Sequence, residues 1–165
     1  MISDSSTAAR PTAPDAPVDL GTLLRDLQQR LQAMSRRLSE AQINSVYATA
    51  YNLLQQGSID RADRLFGMLI ALRPNCAKYW HAVGICRRRK NDFAFAVEAL
   101  GRAFELDPAS LECGLLQVEA MMLMERRAEA AELLARVEAL AREHADAISS
   151  WRAEGFRELL ERPAS

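Results

Sequence analysis

The chain has 165 residues, 49% of them hydrophobic, with 21 Lys and Arg against 22 Asp and Glu and a formal charge of −1. That length supports one good-sized core, and the near-neutral charge gives the surface as a whole no electrostatic reason to hold nucleic acid or an anionic membrane. Its three cysteines, Cys76, Cys86 and Cys113, lack paired metal or redox spacing, and charges break every apolar stretch well short of the ~20 residues a membrane span needs.

Residues 1–17, MISDSSTAARPTAPDAP, have no basic start followed by an apolar block. They read as a disordered tail rather than a secretory signal, which points to the cytoplasm. An amphipathic helix is expected over 18–40, where Leu20, Leu24, Leu27, Leu31 and Met34 recur at alternating four- and three-residue steps with polar residues between. Such a stripe either pairs with a second copy as a dimerisation seam or caps the end of whatever follows.

From there the chain repeats itself. Trp80, Gly84, Ala96, Ala103 and Pro108 fall at positions 4, 8, 20, 27 and 32 of a 34-residue frame beginning at 77. Shifted back to 43, the frame finds Ala50, Ala62, Phe66 and Pro74; shifted forward to 111 it keeps Ala130, Leu134 and Val137 but meets Val118 and Arg142 in place of glycine and proline. The fold expected is all-α, a tetratricopeptide-repeat superhelix of three helix pairs over 43–144, with repeats at 43–76, 77–110 and 111–144. Each pair cannot bury its apolar faces alone, so stacking completes the core; the small residue at position 8 lets the first helix approach the second across position 20. Pro74 and Pro108 end second helices, and Gly57 and the Asn91-Asp92 pair mark turns. A C-terminal capping helix follows over 145–161, with Ile148, Trp151, Phe156, Leu159 and Leu160 on one side and polar residues on the other.

Catalytic chemistry has no visible seat. His81 and His144 are the only histidines, neither at metal-ligand spacing, and there is no glycine-rich phosphate loop or nucleophile elbow. The expectation is a protein that is not an enzyme and takes no cofactor or metal. What a solenoid offers instead is its concave face, lined by positions 2, 5, 9, 12 and 13 of each first helix. The candidate peptide groove comprises Asn44, Tyr47, Tyr51 and Leu54, then Lys78, His81, Ile85, Arg88 and Arg89, then Leu115, Glu119 and Met122, with Leu123 beside them. Tyr47, Tyr51 and Leu54 form a stripe opposite Val46, Ala50 and Leu53, so their helix is apolar on two sides. Either the N-terminal helix folds back over the tyrosines or they floor a groove for an extended peptide with apolar side chains. The run Arg87, Arg88, Arg89 and Lys90 reads as a solvated helix C-terminus suited to the helix dipole.

These residues carry a closer resemblance. Tyr47 to Gly57 (YATAYNLLQQG), the Gly84-Ile85-Cys86-Arg87 run and the divergent third repeat make the stretch from Tyr47 to Leu140 similar to the class II, translocator-binding chaperones of bacterial type III secretion systems. The resemblance implies a cytoplasmic chaperone, independent of ATP, that keeps hydrophobic translocator proteins soluble before export. It also implies that Tyr47, Tyr51 and Leu54 fall in the client pocket, that Arg88 replaces a usual glutamine, and that the N-terminal region forms a homodimer. Some members assist a transcriptional regulator. The main competitor is a tetratricopeptide adaptor that clamps an acidic C-terminal tail, but the clamp positions hold Tyr47, Tyr51, Ala82, Glu112 and Leu116. Replacing both Tyr47 and Tyr51 by alanine is expected to abolish client binding with melting nearly unchanged.

Overall fold

The computed structural model describes residues 19–162, and the tail read over 1–17 lies outside them. Eight helices follow one another: α1 (Leu20–Arg37), α2 (Glu40–Gln55), α3 (Ile59–Leu72), α4 (Ala77–Arg89), α5 (Phe93–Leu106), α6 (Leu111–Leu123), α7 (Arg127–Glu143) and α8 (Ala147–Glu161). Helices adjacent in the chain from α2 to α8 pack against one another, α8 also reaches α6, and α1 lies against α3. This is a tetratricopeptide superhelix of three pairs, α2/α3, α4/α5 and α6/α7.

Local signals start the helices. Asp19 accepts hydrogen bonds from the Gly21 and Thr22 amides at the head of α1, and Ser39 and Gln42 form a reciprocal capping box on α2. Asp92 and Asp146 cap α5 and α8. The turns inside the three pairs share one device: Gly57, Asn91 and Glu125, 34 residues apart in the chain, all take positive φ (78°, 58° and 59°). In each, the next amide returns to a carbonyl five residues back, Ser58 to Leu53, Asp92 to Arg87 and Arg126 to Met121. Glu125 gave no sign of this in the sequence, because the hydrogen bonding imposes the left-handed conformation on a residue with no preference for it. Ala145 repeats the geometry at the end of α7 (φ 52°). There the frame has Arg142 in place of proline, and α7 runs 17 residues where α3 and α5 run 14.

Packing follows the frame. Ala62, Ala96 and Ala130, and likewise Leu69, Ala103 and Val137, are fully buried. A Cβ on Gly84 would stand 2.5 Å from Leu100 Cγ, so glycine is what allows α4 to close on α5; the neighbour it meets is Leu100 rather than Ala96. In the third pair that role moves one helical turn toward the N-terminus, to Gly114, whose Cβ would lie 2.6 Å from Val137 Cγ2. Val118 then fills the buried position where repeat two has its glycine. Trp80 and Ile85 pack against both halves of the core, and the Trp80 indole N–H donates to the Pro74 carbonyl at 2.7 Å, tying the second repeat to the stop of the first. At the far end one guanidinium nitrogen of Arg127 reaches the Leu159, Leu160 and Arg162 carbonyls and caps the C-terminus of α8.

Two substitutions test this account by denaturant unfolding followed by circular dichroism. Gly84→Ala should destabilise the chain by about 1–3 kcal/mol through overpacking against Leu100. Glu125→Gly should stabilise it by about 0.5–1 kcal/mol by relieving the left-handed conformation.

Candidate functional site

The first helices of the pairs, α2, α4 and α6, present the residues assigned to the groove, but not all of them reach its surface. At the α2 end, Tyr51 is 46% exposed. Tyr47 is half-buried, stacked on Tyr51 (centroids 6.4 Å apart), edge-on to Phe66 (5.7 Å) and tilted against Tyr79 (5.7 Å). Lys78 holds its Nζ 5.0 Å from the Tyr47 ring centre and 5.3 Å from that of Tyr79, a cation over an aromatic pair. Tyr47 is therefore as much a core residue as a groove residue, which corrects the expectation that replacing it together with Tyr51 would leave melting nearly unchanged. Asn44 is exposed beside it.

Leu54 and Leu115 do not line the groove. Leu54 is 2% exposed and shares the first core cluster with Ala82 and Cys86 of α4, so the neighbouring repeat covers it. Leu115 is fully buried because α8 folds back against α6, with Arg152 ion-paired to Glu112 on the inner face. The groove thus ends earlier on the α6 side than the register alone indicates. Met122 is half-buried and Leu123 exposed beyond that closure.

In the middle, α4 supplies Ile85, half-buried, and His81, whose Nε2 is sealed without a hydrogen-bond partner. Burial pushes the His81 imidazole below its ordinary pKa, with Glu112 pulling the other way, so the ring is neutral at pH 7. The basic run is not solvated at random. Arg87 binds the buried Asp63 of α3 through two contacts (3.2 and 3.1 Å) and Asp92 at 3.1 Å, while Lys90 reaches Asp60 at 2.7 Å and Asp63 at 3.6 Å. One guanidinium nitrogen of Arg88 donates to both carboxylate oxygens of Glu119 at 2.9 Å, bridging α4 to α6 across the groove. Arg89 donates to the Leu54 carbonyl at 3.0 Å, at the C-terminal end of α2. Four consecutive cations therefore fasten α4 to α3, α2 and α6, and the rim is less cationic than the sequence suggests.

Near this junction Arg88, Arg89, Asn91, Phe93 and Leu123 surround a hollow of about 350 Å³. Asn91 belongs to the α4–α5 turn and Phe93 opens α5, and both lie outside the positions from which the groove was read. Tyr79 was missed for a different reason: it occupies position 3 of the frame, which points between neighbouring helices, and only the tertiary fold brings it to Tyr47. Among the described residues no three His, Cys, Asp or Glu side chains converge as a metal site, and no helix is long and apolar enough to cross a membrane.

No protein-family model matches this chain, and no curated protein matches it. Solved structures do. A type III secretion complex from Aeromonas hydrophila superposes with a TM-score of 0.74 at 19% identity, over 85% of this chain and 95% of that one. The type III secretion translocator chaperone SycD of Yersinia enterocolitica superposes at 0.70 with 20% identity, over 78% and 90%. PcrH of Pseudomonas aeruginosa gives 0.70 with 23% identity, over 76% and 96%. These likenesses establish the fold over nearly the whole of each neighbour.

Two measurements probe the site's scaffold. Asp63→Ala leaves Arg87 with Asp92 as its remaining partner and should cost about 1–3 kcal/mol, less than a broken buried pair because Arg87 keeps that contact and is partly exposed. Burial raises the Cys86 thiol from its ordinary 9.0 to about 11, with Asp63 adding to the effect, and burial raises Cys113 as well. Thiol labelling of the folded protein should therefore modify Cys76, which is half-buried, well before the other two. Between pH 9 and about 11 the unfolded state releases the Cys86 proton and the folded state keeps it, so stability should fall across that window.

Proposed function

We propose that this chain is a cytoplasmic chaperone for hydrophobic translocator proteins of a bacterial type III secretion system. It acts without catalysis or cofactor, holding an extended apolar segment of its client along the inner face of α2, α4 and α6. The observation that carries the reading is the open aromatic patch at Tyr51, backed by Tyr47 and Lys78, on the concave side of a fold shared with SycD and PcrH. SycD has been solved with a peptide of the translocator YopD, and PcrH with the chaperone-binding regions of PopD and PopB, which supports the same use of the fold here.

The groove's chemistry suits such a segment. Tyr51, Ile85 and Met122 are apolar anchors spread over three helices, and the Arg88–Glu119 pair neutralises the charge between them. Each buried anchor contributes roughly 1.5–3 kcal/mol before ordering costs, so three support micromolar binding. Leu54 and Leu115 stand behind the surface as packing. Dimerisation through Leu20, Leu24, Leu27, Leu31 and Met34 belongs to the same reading: three of these side chains, Leu20, Leu24 and Leu27, are more than half exposed.

An acidic-tail adaptor fits less well, although the TPR2B domain of yeast Sti1, solved as a complex with pHsp70, shares the fold. Two of the positions that would clamp such a tail, Ala82 and Leu116, are buried, and Glu112 is an anion already paired with Arg152. A transcriptional regulator presenting an apolar segment would use the same groove as a translocator.

Calorimetric titration with overlapping peptides from candidate translocators, against an acidic-tail control, tests the proposal. One apolar, proline-flanked peptide should bind, and Tyr51→Ala should weaken it at least tenfold while stability changes by no more than about 0.5 kcal/mol. Tyr47→Ala should weaken binding and also lower stability, because its ring packs on Phe66 and Tyr79. Preference for the acidic tail, or binding indifferent to Tyr51, would overturn the assignment.

A further inference from the structure

The C-terminal helix closes one surface and opens another. Phe156 and Leu160 of α8 pack into the core, as a cap should. Its outward face, however, carries Ile148 at 74% exposure and Trp151 at 73%, with Leu159 a further two turns along. The polar far side expected of a solvating cap is thus interrupted by an apolar stripe. In the middle of that stripe stands Gly155, where a Cβ would meet nothing within 4 Å. A glycine inside a helix costs up to about 1 kcal/mol relative to alanine, and nothing in this copy requires its small size. The result is a notch, with Trp151 and Leu159 at its ends and Glu154 and Glu158 along one side.

At the opposite end of the solenoid α1 has the complementary deficit. It touches only α3 to any extent, contributes no buried residue to the core, and leaves Leu20, Leu23, Leu24, Leu27 and Met34 exposed. We propose that the notched face of α8 is the seat of α1 from a second copy of this chain. The assignment rests on the α1 dimerisation included in the proposed function and adds the surface that α1 meets; it does not depend on client binding.

Charge selects this occupant. The edge of the α8 stripe carries Glu154, Glu158 and Glu161, none of them ion-paired among the described residues, whereas Arg152 and Arg157 are engaged by Glu112 and Glu138. The corresponding edge of the α1 stripe carries Arg37 and, well exposed, Arg30, which reaches Asp26 of its own helix at 2.8 Å. Two helices packed face to face in opposite directions bring corresponding edges together, so α8 on α8 would set glutamates against glutamates, whereas α1 brings Arg30 and Arg37 to that edge with Asp26 as its one anion. Antiparallel α1 on α8 sets Arg30 and Arg37, seven residues apart, beside Glu154 and Glu161, also seven apart, a matching span of about 10.5 Å. Exchange in both directions between two copies closes the assembly with two-fold symmetry. The notch lets the α1 backbone approach, and Trp151 becomes the central anchor, the residue type most enriched at such positions.

The test is sedimentation equilibrium of the full-length protein and of three variants, with circular dichroism to confirm folding. Wild type should self-associate, with Trp151 fluorescence shifting to the blue as concentration rises. Trp151→Glu, altered on α8 alone, and Leu27→Glu, altered on α1 alone, should each associate at least tenfold more weakly. Mixed together they should form a 1:1 complex, since each supplies the face the other lacks. Gly155→Lys should fold at least as stably as wild type and lose association, which keeps the question decidable if Trp151→Glu folds poorly. A monomeric wild type, a Trp151→Glu or Gly155→Lys variant that associates as well as wild type, or a mixture that stays unassociated would overturn the proposal. Peptide titration of Trp151→Glu should be unchanged from wild type, so failure here is separable from failure of the chaperone reading.

Discussion

The structure depends on how closely the two helices of each pair approach. Small residues at Ala50, Gly84 and Gly114 set that distance, and at Gly84 and Gly114 there is no room for one further carbon atom. Once α4 closes on Leu100 of α5, its opposite side is turned to the inner surface, and His81, Ile85 and Arg88 fall in line there. The pitch of the superhelix, and with it the spacing of the groove's anchors, is an outcome of core packing. A surface made this way is largely preformed, so on the proposed reading little ordering of the protein itself opposes capture of a segment.

Electrostatics then locks the stack. Arg87, Arg88, Arg89 and Lys90 occupy the last turn of α4 and its cap, where the helix dipole favours cations, yet each also finds a partner on another element. The Arg87–Asp63 contact lies close to the core, with Asp63 7% exposed, and its worth lies in fixing the orientation of α4 on α3 rather than in net stabilisation. The Arg88–Glu119 bridge does the same across the groove. It also leaves the two charges satisfied by each other between the aromatic end and the hollow beside Phe93.

The periodic part of this architecture was legible in the residues. Alanines at one position of a 34-residue frame are buried because every repeat solves the same packing problem, and Pro74 and Pro108 stop helices where a ring must. What periodicity could not convey were the exceptions at the ends. Leu115 occupies a position open in an interior repeat, but α8 covers it, since the last pair has no following repeat. Leu54 is hidden by α4 for the converse reason, as it faces the one neighbour that its repeat does have. The basic run was misread because a sequence displays cations without their partners, and Asp63 and Glu119 lie 24 and 31 residues from the arginines they bind. Glu125 was invisible because its backbone conformation is dictated by its place in the turn.

The ends also separate two surfaces that a helical solenoid could easily confuse. Had α1 folded back on α2, it would have covered Tyr47 and Tyr51, and assembly and client capture would have competed for one face. It lies instead against α3, on the outer layer, and Tyr51 remains open. α8 is tied to α6 by Arg152 and Glu112, and its Ile148 and Trp151 stay exposed. The proposed contact between α1 and α8 of different copies uses none of the residues assigned to the groove. If both proposals hold, assembly and peptide binding are independent in their free energies unless a bound segment is long enough to leave the groove and touch the partner copy.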